Sequence, residues 1–486
     1  MNAFDYFFEN SKTLEKDFLV GKESVSYKQL YNDACNLAGF IRTTYGEGNN
    51  IMLVSVNNLF FINVYLAIIK SGNTCVPIDP AVETSNFTLL AGLTEPVAVF
   101  LTRDLTQKLP VGNLPCLFPD SAIFAEKQTI ADNDDSFDEN RCAEIIFTSG
   151  STGKPKGVMI SHKNLIANTR SIVSYLHLTS NDRMMVVLPF YYCYGLSLLH
   201  THLRSGGSIV LNNSFIFLGS IIRSLLDYKC TGFAGVPSHF QILLRKTNEF
   251  KNSIFPDLRY VTQAGGKLAP LFIDEFRSNF PEIKFYVMYG QTEATARLSY
   301  LPPEFYDQKK GSIGRGIPDV VLKVVNEDGF EIKPGETGEV IAHGENIMTG
   351  YYKDEESTNE VLKNGWLYTG DLGTVDTDGY IYLTGRRKEI IKVGGKRISP
   401  KEIEAIILEI PEVVDCSVEG ISDDLLGEII KATVVVSSSS GISVNEDFIR
   451  QHCFSKLASF KVPQIIAITD QLKISSSGKK VKENPL

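Results

Sequence analysis

Short apolar runs rich in strand-forming residues recur along the chain, at Asn50 to Val56, Val97 to Leu101, Arg183 to Leu188, Ser208 to Leu211, Gly232 to Val236 and Lys284 to Met288. Helix-length segments with one apolar face separate them, and this alternation predicts parallel strands joined by helices. After about residue 310 the texture changes. Gly, Pro, Asp and Glu crowd into pieces such as Asn326-Glu327-Asp328-Gly329 and Asp376-Thr377-Asp378-Gly379, which predict turns between short antiparallel strands. Near the end, Ser399-Pro400-Lys401-Glu402 has the form of a capping box with proline at the first helical position. Ile403, Ile406, Ile407 and Ile410 follow at one-face spacing and predict an amphipathic helix ending at Pro411. Strands are predicted at Val413 to Val418, Ile429 to Val436 and Gln464 to Ile468, with a loop over Ser437 to Ser440 and a helix near Asn445 to Lys456. These elements make a small α+β unit whose boundary falls near residues 384 to 390.

Length agrees with a composite molecule. The 486 residues exceed one ordinary domain of ~100–200 residues. Apolar residues at 43% and charged residues at 22% place the chain among globular proteins able to bury a large core. A net charge of -9 lacks the basic balance of a nucleic-acid binder, so nucleic acid is not expected as a partner. The eight cysteines are scattered without a CxxC pair, which fits reduced thiols in a cytoplasmic protein rather than disulfides or a zinc site. No signal peptide is read at the N-terminus, where Asp5 and Glu9 interrupt an aromatic cluster. The most apolar early stretch, Ile51 to Ile69, is broken by Asn57, Asn58 and Asn63; it predicts strand, loop and buried helix, and no membrane span.

The sharpest local chemistry is Ile145-Ile146-Phe147-Thr148-Ser149-Gly150-Ser151-Thr152-Gly153-Lys154-Pro155-Lys156-Gly157, an apolar strand entering a loop of small and hydroxyl residues followed by lysines. Small residues let backbone N–H groups close on an anion, hydroxyls add donors, and lysines add charge, so the segment reads as a phosphate cradle. It is not a Walker loop, because Thr148 stands where the first glycine is needed and Pro155 follows Lys154.

With this loop the chain resembles the adenylate-forming superfamily of acyl-CoA synthetases, adenylation domains and luciferases. Four further segments carry the resemblance in the family's order: Tyr289-Gly290-Gln291-Thr292-Glu293, Gly365-Trp366-Leu367-Tyr368-Thr369-Gly370-Asp371, Gly385-Arg386-Arg387-Lys388-Glu389-Ile390-Ile391-Lys392 and Ser477-Gly478-Lys479. The resemblance implies an α/β fold: a large N-terminal part, residues 1–387, of parallel sheets flanked by helices plus a β-barrel-like piece. A small mobile α+β domain, residues 388–486, would follow, hinged at Lys388. It further implies that Thr148, Ser149, Gly150, Ser151, Thr152, Gly153 and Lys156 hold the outer phosphates of ATP. Tyr289 would lie against the adenine beside Gly290 and Gln291, with Gly265 and Gly266 shaping the opposite wall. Thr292 would contact the α-phosphate, Glu293 would hold Mg²⁺, and Asp371 and Arg386 would meet the ribose. Lys479 is implied as the catalytic lysine, placed between a carboxylate and an anionic phosphate that would otherwise repel each other. After rotation about Lys388, the segment with Lys392, Gly394 and Gly395 would face the thiol of CoA or of a carrier-protein pantetheine.

The acyl pocket is expected near Tyr192, Val236, Pro237, Gln263 and Ala264. From Met184 to Leu226 there is no Asp or Glu, so an α-ammonium would lack a partner in this stretch, which favours a fatty or aromatic acid over an amino acid. The expected activity is that of an AMP-forming acid–thiol ligase. An acyl-AMP ligase loading only a carrier protein, an amino-acid adenylation enzyme and a non-catalytic adenylate-binding protein remain alternatives, and a homodimer is possible.

Overall fold

The structure, a computed structural model, describes residues 1–124, 137–149, 154–215, 217–423, 426–437 and 444–472. The calls at Gly150 to Gly153, Ser438 to Ser440 and Lys479 lie outside these residues. Among the described residues, three sheets build the large N-terminal part and a fourth builds the C-terminal unit.

In the first sheet, Ser208–Leu211, Arg183–Val186, Gly232–Gly235, Tyr260–Gln263 and Lys284–Tyr289 pair in parallel, and Ser299–Leu301 returns antiparallel to Lys284–Tyr289. In the second, Asn50–Val54 lies between Thr74–Ile78 and Ala98–Leu101 in parallel register. Cys142–Ser149 pairs in parallel with Thr74–Ile78 and then antiparallel with Pro155–Ser161. Parallel strands carry helices on their faces and so are buried on both sides, which is why they read as continuous apolar runs. Helix Leu59–Lys70 is apolar almost all round because it sits in a core shared by both sheets, touching the cluster that holds Ile51 and Leu53 of one and Met184 and Val186 of the other. The strand, loop and helix expected over Ile51 to Ile69 are therefore found. No helix among the described residues is long and apolar enough to cross a membrane.

The third sheet is antiparallel: Val320–Val325, Gly338–Gly344, Trp366–Val375 and Ile381–Arg386. The turn at Asp376 to Gly379 joins its last two strands, with Gly379 N–H donating to the Asp376 carbonyl at 3.1 Å. The C-terminal unit carries Val413–Asp423, Gly427–Val436 and Ile465–Thr469 with helices Pro400–Ile407 and Glu446–Lys456. Two details differ from the sequence expectation. Helix Pro400–Ile407 stops before Pro411, and its Ser399 cap makes no side-chain bond to the helix. The Ser399 hydroxyl instead donates to the Thr384 carbonyl at 2.6 Å, while Glu402 accepts from Lys461 Nζ at 2.6 Å. A remote partner displaces the local box and ties the unit to the strand preceding the turn Arg387–Glu389.

Burial sets the acid sensitivity of the fold. Desolvation pushes His162, His200 and His239 down to about 3 and His202 down to about 4, so all four stay neutral in the fold and would charge on unfolding below their ordinary 6.5. Glu144 works in the opposite sense. Burial raises it from 4.5 to about 7, although Tyr65 donates to it at 2.7 Å, so it keeps a proton that the unfolded chain would release. Unfolding therefore takes up about one proton net at about pH 6.5 and about three near pH 5, and stability should fall on acidification by up to ~4 kcal/mol per pH unit at the lower end. The apparent Tm is expected to drop by about 3 °C between about pH 7 and about pH 5.5. A flat Tm over that interval, measured calorimetrically, would contradict this account.

Candidate active site

Thr148 pairs across a hairpin with Lys156, and Ser149 with Pro155. The phosphate-cradle motif therefore runs strand to strand, which distinguishes it physically from a Walker loop opening a helix. Lys156 Nζ donates to Ser357 Oγ at 2.6 Å and lies 4.9 Å from the centroid of the Tyr351 ring. The Tyr351 hydroxyl in turn donates to Glu293 Oε1 at 2.8 Å. Burial, together with the Glu293 charge, raises the Tyr351 hydroxyl far above its ordinary range, so it stays protonated as a donor. A lysine and a carboxylate distant in sequence thus meet through one tyrosine. Sequence reasoning missed Tyr351 and Ser357, since Tyr351 arrives by pairing Gly350–Tyr351 with Pro155–Ser161 and nothing local announces that pairing.

The Tyr289 segment follows the end of Lys284–Tyr289 and turns sharply. Gly290 is required there: a Cβ would stand 2.0 Å from the Ala296 carbonyl oxygen and 2.9 Å from Arg297 Cα. Thr292 is buried, and its hydroxyl lies 3.5 Å from Cys193 Sγ at the start of helix Cys193–Ser205, whose N-cap is Tyr192. Gln291 caps the short turn Thr292–Ala294.

Asp371 and Arg386 are partners across adjacent strands. Asp371 Oδ1 accepts from Arg386 Nε at 3.0 Å, and Asp371 Oδ2 accepts from the Tyr289 hydroxyl at 2.6 Å. The carboxylate is only 5% exposed, whereas the Arg386 side chain is largely in solvent. The adjacent charge raises Arg386 above its ordinary value, and burial raises the Tyr289 hydroxyl well above its own. Asp371 therefore fixes the ring of Tyr289, a contact the sequence reading did not contain.

Gly266 leaves room for Pro237: a Cβ would sit 3.3 Å from Pro237 Cγ. Gln263 Nε2 donates to the Gly266 carbonyl at 2.8 Å, and Gln263, Val236 and Ala264 are buried around it. Gly265 precedes this contact, so the residues expected at the nucleotide wall and those expected at the acyl pocket abut. Lys388 lies exposed in the turn Arg387–Glu389. Lys392 belongs to the hairpin Ile391–Val393 and Lys396–Ile398, with Gly394 and Gly395 at its tip. Among the described residues no three His, Cys, Asp or Glu side chains gather to hold a metal.

The profile of the AMP-binding enzyme family matches residues 8–352, and that of the AMP-binding enzyme C-terminal domain matches residues 402–479. The chain belongs to the AMP-binding enzyme family. It is 30% identical over 481 residues to an oxalate–CoA ligase of Arabidopsis thaliana, covering 94% of this chain and 92% of that protein. It is 33% identical over 338 residues to a 2-succinylbenzoate–CoA ligase of Bacillus licheniformis, covering 69% and 68%. Its fold superposes on the ATP-bound MatB of Rhodopseudomonas palustris with a TM-score of 0.87 at 26% identity, over 99% of this chain and 97% of that one.

Proposed function

We propose that the protein is an AMP-forming acid–CoA ligase, which activates a carboxylic acid as its acyl-adenylate and passes the acyl group to the thiol of CoA. The observation that carries this reading is the cluster in which Lys156 and Glu293 meet through Tyr351, next to Thr292. Lys156 has no carboxylate ion pair among the described residues, so its charge is free to serve phosphate oxygens. The loop from Thr148 to Gly153 would complete that cradle, and Thr292 would donate to the α-phosphate.

One carboxylate, Glu293, suits Mg²⁺, a hard cation usually held by one or two carboxylates together with substrate phosphates. When bound, the ion would neutralise phosphate charge. Tyr351 would fix the Glu293 carboxylate in the orientation needed to hold it. Tyr289, held by Asp371, would flank the adenine opposite Gly265 and Gly266, while the exposed end of Arg386 and the edge of Asp371 would meet the ribose. Lys479 would place its cation between the acid and the α-phosphate.

Residues 1–387 would form the large part and residues 388–486 the lid. Rotation at Lys388 would exchange Lys479 for the hairpin of Lys392, Gly394 and Gly395, where the thiol enters. None of the eight cysteines forms a disulfide, which suits a reducing cytoplasm. A pantetheinyl carrier protein is the second acceptor to test. The relatives named above are ligases of oxalate and 2-succinylbenzoate, and the acid here is read as an organic acid without an ammonium group.

Acid-dependent ATP–pyrophosphate exchange over aliphatic, aromatic and amino acids, followed by thioester analysis with CoA and with a holo carrier protein, tests the reading. Exchange with non-amino acids and formation of an acyl-CoA are expected. Exchange confined to amino acids, or no CoA thioester, would contradict it.

A further inference from the structure

Arg297 is the largest fully buried side chain among the described residues, at 2% exposure. Its Nε and Nη1 are enclosed without a hydrogen-bond partner, and it makes no ion pair among the described residues. Other buried ions are matched: Lys70 pairs with Asp5 at 2.7 Å, and buried Asp182 takes Arg259. A guanidinium cannot shed its proton to relieve burial, so an unmatched one calls for an anion.

The backbone holds this cation in place. Thr295, a β-branched residue, adopts a left-handed φ of 61°, and its hydroxyl donates to the Asn346 carbonyl at 2.6 Å. Asn346 Nδ2 donates to the Arg297 carbonyl at 2.8 Å, and Asn168 Nδ2 does so at 3.3 Å. Such a conformation persists only where the surroundings impose it. The Arg297 Cα packs on Gly290, and its guanidinium lies 4.7 Å from the centroid of the Tyr194 ring. Tyr194 follows Tyr192 and Cys193, and its hydroxyl bonds to Thr262, which adjoins Gln263. Arg297 is thereby enclosed between the Tyr289-Gly290 segment and the elements carrying Tyr192, Gln263 and Ala264.

We propose that Arg297 is a specificity residue that receives a second carboxylate, at the far end of the acid, so that the preferred substrate is a dicarboxylic acid. This rests on the ligase reading above and deepens it. A cation with two unused donors, Nε and Nη1, offers charge-assisted hydrogen bonds to a carboxylate, and the face of Tyr194 packs beside it. The lack of any Asp or Glu from Met184 to Leu226, which leaves an ammonium unmatched, equally leaves no side chain there to repel such an anion.

The test is pyrophosphate exchange by the full-length enzyme with malonate, succinate, glutarate, adipate and phthalate, each set against its monomethyl ester. The best diacid should exceed its ester in kcat/KM by ~10²-fold, and Arg297→Met should erase that preference while Arg297→Lys keeps part of it. A wild type that uses the esters as well as the diacids overturns the inference and leaves the ligase reading standing. No exchange with any member of either series, nor with the monocarboxylic acids, counts against the ligase reading itself. If Arg297→Met lowers exchange with diacid and ester alike, or fails to fold while the wild type shows no preference, the residue is a packing element and the inference fails.

Discussion

Asp371→Asn is expected to lower kcat/KM for ATP in acid-dependent pyrophosphate exchange by about 10²–10³-fold. The substitution is nearly isosteric, so the loss would come from chemistry rather than volume. Its carboxylate accepts a 2.6 Å bond from Tyr289 and a 3.0 Å bond from Arg386, and an amide can offer only one accepting oxygen to the two. One donor is then left facing an N–H₂ group in a site only 5% exposed. The pair with Arg386 is partly screened because that side chain is largely in solvent, so the buried tyrosine contact should dominate the effect on protein order. Tyr289→Phe separates the two roles. If Asp371 acts only by holding the ring, the phenylalanine variant should reproduce most of the loss; if the carboxylate meets the ribose, that variant should stay within about threefold of wild type. A change below threefold in Asp371→Asn would remove the residue from the nucleotide site.

Lys479→Ala is expected to slow adenylation by about 10²–10³-fold or more while leaving ATP affinity nearly unchanged. Attack by a carboxylate on an anionic α-phosphate brings two negative centres together, and a preorganised cation between them acts mainly on the transition state. Loss should therefore appear in kcat for exchange, with nucleotide binding by titration little altered. Lys480→Ala is the necessary control, because the two lysines are adjacent in Gly478-Lys479-Lys480. Unchanged exchange in Lys479→Ala with loss in Lys480→Ala would move the assignment by one residue.

The strands most legible in the sequence were those buried on both faces. Ser208–Leu211 falls where its apolar run predicts, and Lys284–Tyr289 extends its run by one residue. Both owe this to local periodicity bounded by turn residues, which survives without knowledge of neighbours. The box at Ser399 fails for the complementary reason: its signature is local, but the hydroxyl finds its acceptor in the Thr384 carbonyl on another strand. Motifs single out Glu293 and Lys156, yet not the tyrosine that joins them, because Tyr351 reaches them by strand pairing rather than by motif.

By itself the sequence determined the alternation of strands and helices, the order of the five motifs and the residues those motifs single out, because each depends on neighbours within a few positions. Only the tertiary structure decided which side chains hold those residues in place. Asp371 on Tyr289, Tyr351 on Glu293 and an Arg297 with no counter-ion among the described residues are facts about segments brought together from far apart in the chain, and burial gives them their force: a charge or donor removed from water must be matched by whatever the fold or the substrate brings to it.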